Sequence, residues 1–139
     1  MAYAEKHIVN LNETAITLAS TGVKARYTGG LHNFVVRRFG LMLEQATTTT
    51  AAVVTLKKRP TPGSASGEVI LQTLTLSATE AAGNVVYGAD LSALILAGEQ
   101  LVIDVTTAAT AGALTYAFLE IDPDWEVVGN AKASVINRS

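Results

Sequence analysis

The chain of 139 residues has no cysteine, two histidines, three prolines and one tryptophan. Without thiols there is no disulfide framework and no thiolate zinc centre, and no redox compartment can be read from the sequence. A Ser-His-Asp site needs a base held against its nucleophile. His7 lies near the N-terminus and His32 follows the turn "TGG", so both read as ordinary edge or turn residues. A cupin-like metal site draws on several grouped histidines, and two scattered ones are too few. Charge is also scarce: 16% of residues are charged against 49% hydrophobic and 6% aromatic, with a net charge of −2. That balance provides no global field to gather nucleic acid or an anionic membrane. It also leaves a lone chain short of surface charge, so subunit contacts are expected to cover part of it. The longest apolar run, "LSALILAG", is far shorter than the ~20 residues of a membrane span. The start "MAYAEKHIVN" lacks an apolar h-region, and the expectation is a soluble protein made in the cytoplasm.

What the chain does have is alternation. In "QLVIDVTT", Leu101, Ile103 and Val105 alternate with Val102, Asp104 and Thr106, a period of two that sends one set to a core. "ALTYAFLEID" opposes Thr115, Ala117 and Leu119 to Leu114, Tyr116 and Phe118, and "EVILQTLTLS" places Ile70, Leu74 and Leu76 on one face. "FVVRRFGLMLEQ" alternates around Val35, Phe39, Leu41 and Leu43 with a bend expected at Gly40, and "AAVVTLKK" sets Val54 beside Leu56. "HIVNL", "AITLA" and "NVVYG" read as shorter strands, giving about eight. "ADLSALILAGEQ" is the best helix candidate and is short enough to be a turn instead. "ATTTTAA" reads as a hairpin loop between two strands. The expected fold is all-β: a single-domain antiparallel β-sandwich, jelly-roll-like, over residues 1–139. A loose N-terminal arm is expected over about 1–10 and a C-terminal tail over about 128–139.

No motif specifies chemistry. "GSASG" lacks serine at its central place and is no nucleophile elbow. "PTPGSASGEV" runs into a strand with its lysines ahead of the glycines, which excludes a phosphate loop. Glu120, Asp122, Asp124 and Glu126 are the most metal-like series, but Pro123 and Trp125 interrupt it and no glycine provides the turn of a calcium loop. A polar exit from the last strand, with Trp125 anchoring the tail, accounts for it. Arg37 and Arg38 would join Lys57, Lys58 and Arg59 in one basic patch if their strands paired, while Phe34 and Phe39 read as core rather than base-stacking platforms. Nothing points to an enzyme: no catalytic residue, no metal ligand and no cofactor are expected, and neither nucleic acid nor membrane is expected as a partner.

From about residue 53 to 130 the order of signals resembles the small cement, or decoration, proteins on capsids of tailed bacteriophages. The likeness is carried by the "PTPGS" loop entering a long strand, "AAGNVVYG" after it, "LAGEQLVIDVTTAATAG" and a closing "WEVVGN". It covers somewhat over half the chain and leaves out the opening "MAYAEKHIVNLNETAITLASTGVKARYTGG". The resemblance implies a β-sandwich, frequently trimeric, that binds the outside of the shell and clamps neighbouring capsomers. Its implied partners are the major capsid protein and copies of itself. Its implied place is the outer surface of the virion, after synthesis in the host bacterial cytoplasm. A fibre-like, receptor- or carbohydrate-binding sandwich is the alternative, with Trp125, Tyr3, Tyr27, Tyr87 and Tyr116 as available stacking groups.

The stretch "KKRPTPGSASG" at 57–67 is expected to be a loop between two strands, stiffened by Pro60 and Pro62 and projecting from the sandwich. Lys57, Lys58, Arg59, Pro60, Pro62 and Trp125 are the candidate contacts with a neighbouring subunit or the shell, the cations facing acidic groups.

Overall fold

The computed structural model describes residues 7–28 and 32–123. Their strands are β1 (His7–Asn10), β2 (Ile16–Thr17), β3 (Gly22–Thr28), β4 (Phe34–Thr48), β5 (Val53–Arg59), β6 (Val69–Thr75), β7 (Val85–Tyr87), β8 (Ala93–Ile95), β9 (Gln100–Thr107) and β10 (Ala111–Pro123). All pairings are antiparallel and fall into two sheets. The first, sheet A, has the order β1-β10-β4-β7, with β2 also on β10 and β8 also on β4. The second, sheet B, has the order β3-β9-β5-β6. Because β1 and β2 share one side of β10, and β7 and β8 one side of β4, the segments fill the two interleaved four-strand sheets of a jelly roll. The expected sandwich is therefore present.

Period-two patterning builds the core between the sheets. Phe39, Leu41 and Leu43 on β4 and Leu114 and Leu119 on β10 are fully buried against Val54 and Leu56 on β5 and Leu101, Ile103 and Val105 on β9. Bulges decide where the simple alternation breaks. On β4 the break lies at Arg37, where the register shifts between Glu120 and Ile121, and not at Gly40. Phe34 and Val36 are thereby buried, and Val35 falls on the other face. On β6 a shift opposite Leu56 and Lys57 leaves Ile70 61% exposed while Leu74 stays buried, so the three residues do not share a face.

Other expectations change as well. The stretch "ADLSALILAGEQ" forms no helix; it contains β8 and a turn closed by Glu99 N–H to Leu96 O at 3.0 Å. "ATTTTAA" is no hairpin loop, because it carries the chain from β4 in sheet A to β5 in sheet B, passing Thr49 at φ 71°. Residues 7–10 of the expected N-terminal arm are strand β1, whose backbone pairs with β10 from His7↔Ile121 to Asn10↔Phe118. The expected tail at 128–139 lies outside the described residues. Strand β3 was masked in the sequence by Lys24 and Arg26, although Val23, Ala25 and Tyr27 alternate there.

The connection from β6 to β7 is tied to β4 by backbone bonds, Thr47 N–H to Glu80 O at 3.0 Å, Gly83 N–H to Leu43 O and Leu43 N–H to Asn84 O, both at 2.9 Å, and by one buried hydroxyl. Thr47 Oγ1 donates to Ser77 O at 2.9 Å and accepts from Glu80 N–H at 2.7 Å. Glu80 closes the loop on itself by accepting from Asn84 Nδ2 at 2.8 Å and from Ser77 N–H at 3.2 Å, and these bonds, Asn84 first, hold its carboxyl below the ordinary value. Thr47→Val keeps the shape and orphans both loop groups, so it should lower unfolding free energy by ~1–3 kcal/mol in urea titrations. A variant as stable as the parent would show that the hydroxyl does not hold the loop.

Candidate functional site

The register assigns the outer face of sheet A residue by residue, since directly opposed residues on antiparallel strands share a face. One row runs Tyr116, Met42, Val85. The next runs Asn10, Phe118, Gly40, Tyr87, and the third Ile8, Glu120, Arg38. The face is apolar at its centre and ionic along one side. Ile8 is 69% exposed, Tyr87 50% and Tyr116 41%, with Val85 and Leu94 also exposed. Free apolar groups gathered in this way on one sheet face mark a surface that gains from being covered.

Gly40 shapes the centre of this face. A Cβ there would lie 2.4 Å from Phe118 Cζ, so the bare backbone is where the Phe118 ring rests. Phe118 meets Tyr87 edge to face with centroids 5.7 Å apart, and the Arg38 guanidinium lies 5.3 Å from the Tyr87 centroid. The result is a fixed ledge of two rings and a cation.

Beside it a cleft of about 200 Å³ is lined by Arg37, Arg38, Asp90, Leu91 and Glu120. Arg37 Nε donates to Asp122 at 2.6 Å and Arg37 Nη1 to Ser92 Oγ at 3.1 Å. Arg38 Nη2 donates to Asp90 at 2.9 Å, which with nearby Glu120 raises its pKa further. Arg38 Nε and Asp122 Oδ1 are buried without a hydrogen-bond partner. The bulge at Arg37 is what lets two successive arginines serve one cleft.

The cations singled out in the sequence lie elsewhere. Lys57, Lys58 and Arg59 are part of β5 in sheet B, so they form no patch with Arg37 and Arg38 of β4. Their charges are met within the chain. Lys57 Nζ reaches Asp104 at 2.8 Å and Glu68 at 3.3 Å, Arg59 Nε reaches Glu68 at 2.7 Å, and Lys58 Nζ lies 3.6 Å from Glu99. The pairs of Lys57 and Arg59 spread over the outer face of sheet B, where Val102, flanked in its row by Arg26 and Lys57, is fully buried, whereas Lys58, opposite core Leu101, belongs to the other face of the strand. The loop that follows is tied back by Gly63 N–H to Gln100 Oε1 at 3.1 Å and by the turn bond of Ser64 N–H to Thr61 O, which leaves Pro60 and Pro62 exposed. Trp125 lies outside the described residues, as do Asp124 and Glu126. Phe34 and Phe39 are core.

Sequence reasoning missed the outer face of sheet A. Tyr87 and Tyr116 were visible as rings, but the partners that make the ledge, Gly40, Phe118 and Arg38, come from separate strands. Among the described residues no group of acidic or histidine side chains is placed to hold a metal, and no helix is long and apolar enough to cross a membrane. No protein-family model matches the chain, and no curated protein or solved structure matches it either.

Gly40→Ala should cost ~1–3 kcal/mol, because the methyl displaces the Phe118 ring, and unfolding in guanidinium measures it. A neutral result would mean that the ring does not rest on the glycine. Glu68 offers a pH test. Its carboxyl is held below the ordinary value of 4.5, first by the Arg59 hydrogen bond and then by Lys57, against the desolvation that raises it. A depressed folded pKa contributes stability that is present above the unfolded value and lost as pH falls through the folded one. Glu68→Gln should therefore be less stable than the parent near pH 7, and the gap in thermal midpoint should shrink towards about pH 3. A gap that stays constant with pH would remove the network from the stability of sheet B.

Proposed function

We propose that the chain is a structural decoration protein of a tailed-bacteriophage capsid, attaching to the outer shell by the outer face of sheet A and clamping neighbouring capsomers. The observation that carries this reading is the exposed apolar centre of that face, from Tyr116 and Met42 to Val85 and Tyr87, on a sandwich whose other outer face is crossed by its own ion pairs and leaves Ile70 exposed only at its β6 edge. The order of turns and strands that resembles the cement proteins supports it. Attachment is assigned to sheet A and not to Lys57, Lys58 and Arg59, because their carboxylate partners are the chain's own. The partner is the major capsid protein, the place is the virion surface, and several weak contacts repeated in a homo-oligomer provide avidity without a deep pocket.

A second reading has one observation in its favour. Tyr87 stands half-exposed against Arg38 at the cleft of Arg38, Asp90 and Glu120, and Tyr116 is half-exposed farther along the same face, an arrangement of rings and polar groups that suits a saccharide. A glycan array without hits removes that reading.

Purified protein mixed with expanded, undecorated tailed-phage capsids should sediment with them, and the double variant Tyr87→Ala, Tyr116→Ala should stay largely in the supernatant. Wild-type protein left in the supernatant would refute the proposal. Co-sedimentation unaffected by the double variant would move the contact away from sheet A.

A further inference from the structure

The sandwich has four sheet edges among the described residues, and three carry devices that discourage pairing with another chain. The edge formed by β1 and β2 is made of strands of four and two residues, and that of β7 and β8 of two strands of three. Edge strand β3 presents Lys24 and Arg26 and is bulged between Val23 and Ala25. Edge strand β6 has none of this protection along its second half. Its sequence, VILQTLT, contains no charge and no proline over seven residues, and Val69 and Ile70 at its start are 49% and 61% exposed. Its register shift lies opposite Leu56 and Lys57, so the run from Gln72 to Thr75 is regular.

The hydrogen-bonding direction along β6 follows from one bond. Leu76 donates its N–H to Ala52 O at 2.8 Å, and the same register continues through Leu74↔Val54. Backbone groups alternate sides along a strand. Those of Leu74 and Leu76 therefore face β5, and the N–H and C=O of Thr73 and Thr75 face away from the sheet, where β6 has no neighbour among the described strands.

We infer that β6 pairs with β6 of a second copy, antiparallel about a two-fold axis at Leu74, joining two copies of sheet B into one continuous sheet. The sequence fits this occupant in particular. An axis at Leu74 sets Thr73 against Thr75 twice, so all four outward-facing N–H and C=O pairs find partners and both threonines stay on the outer face. Inward and outward positions remain in step, because the opposed residues differ by an even number. The strand has no charge to meet its own copy, whereas self-pairing of β3 would bring Lys24 and Arg26 against themselves. This contact leaves the outer face of sheet A free, and it stands or falls independently of the capsid reading.

Light scattering on the full chain should give twice the chain mass. Thr73→Pro removes an N–H that β5 does not use, and Thr75→Lys places a charge on the new edge. Each should give a monomer with unchanged far-UV circular dichroism. Amide exchange tests the parent directly: the amides of Thr73 and Thr75 should slow as protein concentration rises, while those of Leu74 and Leu76 stay protected throughout. A monomeric or trimeric parent, a dimer that survives Thr75→Lys, or exchange at Thr73 and Thr75 that ignores concentration would overturn the inference. A dimer lost on deleting residues 124–139 would overturn it too, by showing that a terminal segment, not β6, joins the copies.

Discussion

The ladder between β4 and β10 is the constraint on which the rest of sheet A depends. Among the described strands β1 and β2 pair only with β10, and β7 and β8 only with β4, so the place of all four in the sheet depends on that central pair. The ladder runs from Ala111↔Thr48 to Pro123↔Phe34 and is interrupted by several register shifts. Each shift adds a residue on one strand and exchanges the faces beyond it. One places Leu114 in the core and Tyr116 on the outside, and another turns Arg37 and Arg38 towards one cleft. The outer face is thus a product of where the ladder bulges as much as of which residues it contains.

The two outer faces solve the same solvent problem differently. On sheet B Glu68 lies between Lys57 and Arg59 and Asp104 pairs with Lys57, and Val102 is buried beneath that layer. Such partly buried pairs gain little net free energy, because desolvation offsets attraction, but they leave no charge seeking an outside partner. On sheet A the apolar groups stay in water, and covering them returns about 25 cal/mol for each Å² removed. The drive to associate is therefore concentrated on one side of the sandwich and along one strand edge of the other sheet.

Jelly rolls serve in viral capsids and in lectins alike, so the architecture does not choose between a shell contact and a sugar contact. The choice rests on the site. An apolar centre with a ring ledge and an ionic border suits a protein surface better than a small solute, since the cleft of about 200 Å³ is small beside the face it borders.

Much of the fold could be read locally. The period of two in Leu101, Ile103 and Val105, or in Val54 and Leu56, is a property of neighbours along the chain, and those residues are buried as the pattern requires. The same reasoning failed where a bulge intervened, as at Ile70 and Val35, because a bulge is set by the partner strand. It failed again at the basic run, which looked free because two of its carboxylates, Asp104 and Glu99, lie more than forty residues away in sequence and the third, Glu68, lies beyond the loop that follows the run. By itself the sequence determined that the chain is all-β, where most of its strands lie, though not β3 or β8, and much of its core, since these follow from side-chain alternation. Only the tertiary structure decided which cations were already paired, that Phe118 lies on Gly40, and that β6 ends a sheet, because sheet order and register arise from contacts between distant segments.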